Sequence, residues 1–222
     1  VLAYALGDAL YLNVTSGCTL ACVFCPKIRD GDFTVGDARA RYDLRLAENP
    51  GAAEVLAAAE AVRLAGRSEV VFTGFGEPTR RLEVVKEVAA GLAAAGVARI
   101  RVDTDGLASL REGRDVGPEL RAAGVTALSV SLNAADAATY ARLCPSRHGE
   151  AAYDAVKAFI ARAVPLFPDV AASAVAVPGL DEEACRRVAE GLGARFRWRP
   201  YDRLGRLPAA RAGAGPPPET LR

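Results

Sequence analysis

The 222-residue chain contains no methionine, one tryptophan and one histidine. A single histidine excludes a multi-histidine metal centre and argues against a Ser-His-Asp triad, so acid or base work is expected to fall to Asp, Glu, Lys or Arg-assisted groups. Excess charge is also missing. With 28 Lys and Arg against 27 Asp and Glu the net charge is +1, and no global field points to nucleic acid or an anionic membrane, local patches aside. No apolar run reaches the roughly 20 residues that span a bilayer, and Val1-Leu2-Ala3-Tyr4-Ala5 lacks the basic flank of a secretion signal. The expectation is a cytoplasmic protein without membrane association. Half of the residues are apolar, 51%, enough at this length for one substantial core and one domain, residues 1–201.

Five cysteines are present, an odd number, and three of them fall within eight residues. That distribution suits a reducing compartment and metal ligation better than a disulfide framework. The run Asn13-Val14-Thr15-Ser16-Gly17-Cys18-Thr19-Leu20-Ala21-Cys22-Val23-Phe24-Cys25-Pro26 spaces the thiols as C-x3-C-x2-C. Three thiolates can hold three corners of a [4Fe-4S] cube and leave the fourth iron open, whereas an ordinary carrier cluster takes four cysteines and a structural zinc site four protein ligands. The spacing, with Phe24 before the last cysteine, resembles the radical S-adenosylmethionine (radical SAM) superfamily. The resemblance implies that Cys18, Cys22 and Cys25 ligate the cluster and that the amine and carboxylate of S-adenosyl-L-methionine chelate the open iron. It further implies reductive cleavage to methionine and a 5′-deoxyadenosyl radical that abstracts hydrogen from a substrate.

Period and punctuation predict strands near Leu10–Thr15, Glu69–Thr73, Arg99–Thr104, Ala127–Asn133, Val170–Val177 and Arg195–Arg199. Helical spacing relates Leu82, Val85, Val88 and Leu92, then Tyr153, Val156, Ile160 and Ala163, then Cys185, Val188 and Leu192. Further helices are expected over Glu54–Leu64, Pro118–Ala123 and Asp136–Leu143. Alternation at this interval argues for parallel βαβ units. Six of them fit a chain too short for eight, giving an α/β fold with an open six-stranded parallel (β/α)6 partial TIM barrel, which the resemblance also implies. A doubly wound open sheet is the alternative. If Leu128, Val130 and Leu132 face the helices, then Ser129, Ser131 and Asn133 turn inward, as do Tyr11, Asn13, Arg101, Asp103, Asp105, Arg195, Arg197 and Arg199. The inward face is then either a polar, charged ligand cavity or, at the edge strand, a solvent face that resists aggregation.

Catalytic groups of barrels gather at the carboxyl ends of the strands. The second expected strand runs into Thr73-Gly74-Phe75-Gly76-Glu77-Pro78, which looks like the Gly-Gly-Glu-Pro element of radical SAM enzymes with Phe75 inserted. The resemblance assigns Gly74, Gly76, Glu77 and Pro78 to the methionyl ammonium, the other reading being a plain turn. The third ends in Asp103-Thr104-Asp105-Gly106, similar to the Asp-Thr-Asn-Gly of glycyl-radical activating enzymes. The fourth ends in Ser131-Leu132-Asn133-Ala134, resembling segments that touch the cofactor's ribose and carboxylate, although activating enzymes carry lysine where Asn133 stands. Gly179, after the fifth strand, and Tyr201, after the sixth, correspond to adenine contacts. Taken together these turns look like the small TatD-associated radical SAM proteins.

Two cysteines remain. Cys185 lies on an apolar helical stripe and reads as a small buried hydrophobe. Cys144 stands four residues before His148, either as a loop cysteine or as half of a Cys-x3-His metal pair. Between Lys27 and Pro50 the chain is polar and weakly periodic, with Arg29, Arg39, Arg41 and Arg45, beside the cluster loop and suited to shielding it or touching a partner. Residues 202–222 contain Ala-Gly-Ala-Gly-Pro-Pro-Pro and are expected to be disordered. A low-potential donor such as flavodoxin or ferredoxin is expected as electron source, and the substrate is left open among small molecule, nucleotide and protein. Rival readings are an activating enzyme for a glycyl-radical protein and a non-catalytic iron-sulfur or zinc-binding module.

Overall fold

Several strands stop where a glycine or a left-handed residue follows, Ala3–Leu6 at Gly7, Glu69–Phe72 before Gly74, Ile100–Thr104 before Gly106 and Ala127–Ser131 before Asn133. A computed structural model of the chain describes residues 1–36, 40–64 and 66–201. The expectations for Arg39 and for residues 202–222 lie outside these. Strand β1 (Ala3–Leu6) turns through Gly7-Asp8 into β2 (Ala9–Leu12), with Gly7 at φ +61° as the first central residue of a two-residue hairpin requires. After a short helix α1 (Pro26–Arg29) comes a two-stranded hairpin, β3 (Thr34–Gly36) with β4 (Arg41–Asp43). The main alternation then follows: α2 (Ala52–Ala61), β5 (Glu69–Phe72), α3 (Leu82–Ala94), β6 (Ile100–Thr104), α4 (Ala108–Glu112), α5 (Gly117–Ala122), β7 (Ala127–Ser131), α6 (Ala137–Leu143), α7 (Ala151–Ala163), β8 (Asp169–Val175), α8 (Glu182–Gly191) and β9 (Arg195–Arg199).

The main sheet has the order β1-β2-β5-β6-β7-β8-β9. It corrects the expected count, because the six parallel strands are joined by a seventh, β1, antiparallel to β2. The six parallel strands follow chain order without reversal, so the switch point of a doubly wound sheet does not occur, and right-handed crossovers in such an order put the helices on one face. The sheet is open, with β1 and β9 as its edges, and no closed barrel forms.

The face covered by helices is the apolar one. Leu12, Phe72, Val102, Leu128 and Val130 pack with Val85, Val88 and Leu92 of α3 and with Val156, Phe159 and Ile160 of α7 in one continuous core. The opposite face carries the polar set, and at its amino end charges interlock. Arg101 bonds Glu69 at 2.8 Å and Asp103 at 2.9 Å, Arg99 reaches Glu69 and Asp169, and Arg195 joins Asp169 at 3.1 Å. Arg195 is thus held at the amino end, away from the carboxyl ends where the loops gather.

Two segments differ from expectation for local reasons. The polar stretch after Lys27 holds the β3–β4 hairpin, whose Tyr42 and Val35 join Tyr4, Phe75 and Leu44 in a separate small cluster beside β1 and β2. Alternation is too short in a three-residue strand to register as a period. Strand β7 ends at Ser131 instead of Asn133 because Asn133 adopts φ +57°, a left-handed conformation that asparagine tolerates and a strand cannot continue through.

Phe72 is fully buried at the centre of this core. Phe72→Ala is expected to lower unfolding free energy by about 3–5 kcal/mol in urea titration; an unshifted midpoint would contradict the packing described.

Candidate cluster and cofactor site

Beyond β2 the chain leaves the sheet as an irregular loop carrying the three closely spaced cysteines, and this loop is held down by backbone contacts to the turn after β5. Glu77 N–H donates to the Gly17 carbonyl at 2.8 Å. A Cβ on Gly76 would lie 2.0 Å from the Thr15 carbonyl oxygen and 2.7 Å from that of Gly17, so only glycine permits the approach. Gly74 adopts φ +148° with its Cα against Asn13, where a Cβ would meet Oδ1 at 2.6 Å. Side chains complete the clamp. Lys27 Nζ donates to the carbonyls of Ser16 (2.6 Å) and Phe75 (3.3 Å), and Arg80 Nη1 donates to the Cys18 carbonyl at 2.9 Å.

Glu77 fixes the turn from the other side. Its buried carboxylate accepts from Thr79 N–H (2.9 Å) and Oγ1 (2.6 Å), from Thr104 Oγ1 (2.8 Å) and from Asp105 N–H (2.6 Å). With its acceptors engaged in this way, Glu77 joins the end of β5 to the end of β6. Next to it, the Asp105 carboxyl is pushed up to about 8, first by burial and then by the Glu77 carboxylate. Asp105 Oδ1 accepts from Leu107 N–H at 2.8 Å and the Thr19 hydroxyl lies near the carboxyl, while among the described residues Oδ2 has no hydrogen-bond partner.

One pocket brings most of the expected residues together. Cys18, Cys22 and Cys25 line it from the loop, Gly74, Gly76 and Glu77 from the turn after β5, Asp103 from β6, Asp105 from just beyond it, Ser131 from the end of β7 and Asn133 from the turn that follows. Asn133 Nδ2 donates to the Cys144 sulfur at 3.3 Å and its Oδ1 is a second buried acceptor without a partner. Three expected residues lie elsewhere. Pro78 is buried at the start of a 3₁₀ turn outside the pocket lining, Gly179 is exposed in the loop after β8, and Tyr201 contacts Arg29. Arg199 lines the pocket and, among the described residues, makes no side-chain hydrogen bond or ion pair. Its alternation on β9 had placed it inward, but nothing in the sequence showed that it would lack a partner. Lys27 was missed as a clamp, since its acceptors are carbonyls 11 and 48 residues away.

The donor set fits an iron-sulfur cluster. Three thiols open onto a pocket that also holds two orphaned acceptor oxygens, and no other cysteine lines it. Burial holds the thiols protonated, outweighing the opposing pull of Lys27 on Cys25. Burial pushes Cys18 up to about 12 and raises Cys25, while Cys22 is raised by its hydrogen bond with Cys144 and then by burial. Metal binding must therefore release protons. The thiols have not drawn together, and among the described residues no three His, Cys, Asp or Glu side chains converge on a metal position. The alternative reading of Cys144 and His148 as a metal pair finds no support, because Cys144 is buried against Asn133 whereas His148 Nε2 accepts from Arg147. Cys185 sits in the core, fully buried, as expected.

The sequence profile of the radical SAM superfamily matches residues 12–191. The chain belongs to the radical SAM superfamily. Its members are enzymes, and a GTP 3′,8-cyclase of Rhodopirellula baltica is 26% identical over 175 residues, 79% of this chain and 44% of that protein. The chain therefore spans less than half the length of this curated relative. Among solved structures, Streptococcus suis SuiB bound to precursor peptide SuiA aligns with TM-score 0.65 at 15% identity, over 91% of this chain and 42% of SuiB. SuiB bound to S-adenosylmethionine gives 0.65 at 14%, over 93% and 44%. A radical SAM methyltransferase from Sphaerobacter thermophilus gives 0.60 at 22%, over 89% and 57%. These likenesses concern the fold. No helix among the described residues is long and apolar enough to cross a membrane.

Glu77→Gln keeps the shape of the brace but replaces one acceptor oxygen by a donor facing other donors. A loss of about 1–3 kcal/mol is expected in denaturant unfolding of the cluster-free protein; unchanged stability would refute the bracing role.

Proposed function

We propose that the chain is a radical SAM enzyme in which Cys18, Cys22 and Cys25 hold a site-differentiated [4Fe-4S] cluster beside bound S-adenosyl-L-methionine. The observation that carries this reading is the convergence of the loop bearing these thiols, the Gly74–Glu77 turn and the orphaned oxygens of Asp105 and Asn133 on one pocket at the carboxyl ends of a parallel sheet. The cluster and cofactor together supply reductive cleavage of a sulfonium and a 5′-deoxyadenosyl radical that takes hydrogen from substrate. The residues of the chain hold and orient. The close contact at Gly76 keeps backbone carbonyls of the turn near the cysteine loop, suited to accepting from an ammonium. Asn133 Oδ1 and Ser131 offer groups to a sugar or carboxylate. We take the six parallel strands as the partial (β/α)6 barrel of the family, with the electron coming from a flavodoxin or ferredoxin. The Thr73–Thr79 and Ser129–Ala134 turns support a place near the small TatD-associated group.

Arg199 favours a substrate with an anionic group. Its guanidinium lines the pocket with no ion-pair partner among the described residues; burial, and then Arg197 and Arg101, work against its charge while Asp103 supports it, so a carboxylate or phosphate would offset a standing electrostatic cost. The relative named for GTP, a phosphate-bearing nucleotide, is in keeping with this. A docked glycyl-radical protein gains no comparable support, and a non-catalytic metal module leaves the orphaned acceptors unexplained.

After anaerobic reconstitution and reduction, the chain is expected to form 5′-deoxyadenosine, and Cys22→Ala to lose both the iron-dependent visible absorption and that product; product formation by the variant would overturn the mechanism. Arg199→Gln is expected to keep forming 5′-deoxyadenosine while losing conversion of the species in cell extract that exchanges hydrogen with labelled cofactor. Loss of both would assign Arg199 to the cofactor's own carboxylate.

A further inference from the structure

Cys144 is not among the residues that the proposed chemistry uses, yet it is buried, 1% exposed, directly behind one that is. Ala21 N–H donates to the Pro145 carbonyl at 2.9 Å and Val23 N–H to the Leu143 carbonyl at 3.0 Å. These two bonds bracket Cys22 and Cys144 and set them side by side where the cysteine loop passes the carboxyl end of α6. The thiols are already hydrogen-bonded to each other, and Asn133 Nδ2 reaches the Cys144 sulfur from the pocket side at 3.3 Å.

We infer that Cys22 and Cys144 form a thiol-disulfide modification site, closed in the cluster-free chain and mutually exclusive with metal ligation by Cys22. The exclusivity rests on the assignment of Cys22 as a cluster ligand; the disulfide itself does not. The chemistry needs an oxidant, and a low-molecular-weight disulfide such as oxidised glutathione suffices. Cys22, which lines the pocket, attacks one glutathione sulfur to give a mixed disulfide and releases one glutathione. Cys144 then attacks the Cys22 sulfur, the new S–S bond forms, and the second glutathione leaves with its electron pair. The two protein thiols lose two protons and two electrons, and oxidised glutathione becomes two reduced molecules. A dithiol reverses both steps. The product locks a ligand thiol away from iron without exposing it to further oxidation.

The other partners for Cys22 are its loop neighbours Cys18 and Cys25, so the site of the bridge decides the matter. Trypsin separates them cleanly, because the first Lys or Arg of the chain is Lys27 and Cys144 lies in the peptide 143–147 between Arg142 and Arg147. The cluster-free full chain, equilibrated anaerobically in glutathione buffers of rising oxidised fraction, is expected to yield peptide 1–27 cross-linked to 143–147. Cys144→Ala and Cys144→Ser should lose that species. Oxidised wild type is expected to take up no iron and sulfide until treated with dithiol, whereas both variants, treated alike, load without it. A bridge within peptide 1–27, or no bridge at any poise, would overturn the inference. If the 1–27 to 143–147 bridge forms but iron loads normally, the disulfide stands and Cys22 is not a cluster ligand.

Discussion

The Glu77 carboxylate is the interaction on which the geometry of the site depends. A buried carboxylate is tolerable only when donors replace the water it has lost, and here two threonine hydroxyls and two backbone N–H groups do so. Those donors come from the 3₁₀ turn after β5 and from the end of β6, so satisfying one charge fixes two strand ends relative to each other. The same turn accepts the cysteine loop through Gly76 and Glu77 N–H. Asp105 pays for this arrangement, since a second carboxyl beside the first is driven toward its neutral form.

The concave face is polarised along the strands. At the amino end the charges of Glu69, Arg99, Arg101, Asp103 and Asp169 neutralise one another. At the carboxyl end the polar atoms are left over: Asp105 Oδ2, Asn133 Oδ1 and the guanidinium of Arg199. Closed pairing at one end and unmatched groups at the other give the sheet a sealed floor and a receptive mouth. The loops that follow the strands make the difference, because they bring glycines and left-handed backbone to the mouth.

Legibility followed the range of the interaction. The six parallel strands and the long helices were readable because each has several apolar residues in period, as Leu128, Val130 and the α7 stripe show. Strand β1 and the β3–β4 hairpin were not, the latter because its three-residue strands carry too little alternation to stand out, and the meaning of the polar stretch after Lys27 came from its packing on Tyr4 and Phe75. At the site, Gly76, Glu77, Asp105, Ser131 and Asn133 were readable from motif and strand-end position. Gly179 and Tyr201 were named by the same reasoning and are not among the residues that line the pocket, Gly179 being exposed in the loop after β8 and Tyr201 being turned to Arg29.

The sequence alone determined the thiol spacing, the alternation that sends Asp103 and Ser131 to one face and Leu128 to the other, and the glycines that allow close approach. These are properties of neighbouring residues, carried by local backbone geometry. Only the tertiary structure decided that Glu77 would bridge two strand ends, that Lys27 would clamp the carbonyls of Ser16 and Phe75 and that Cys144 would stand beside Cys22. Each of these pairs groups far apart in the chain, and which groups meet there is settled by how the sheet and its loops close around them.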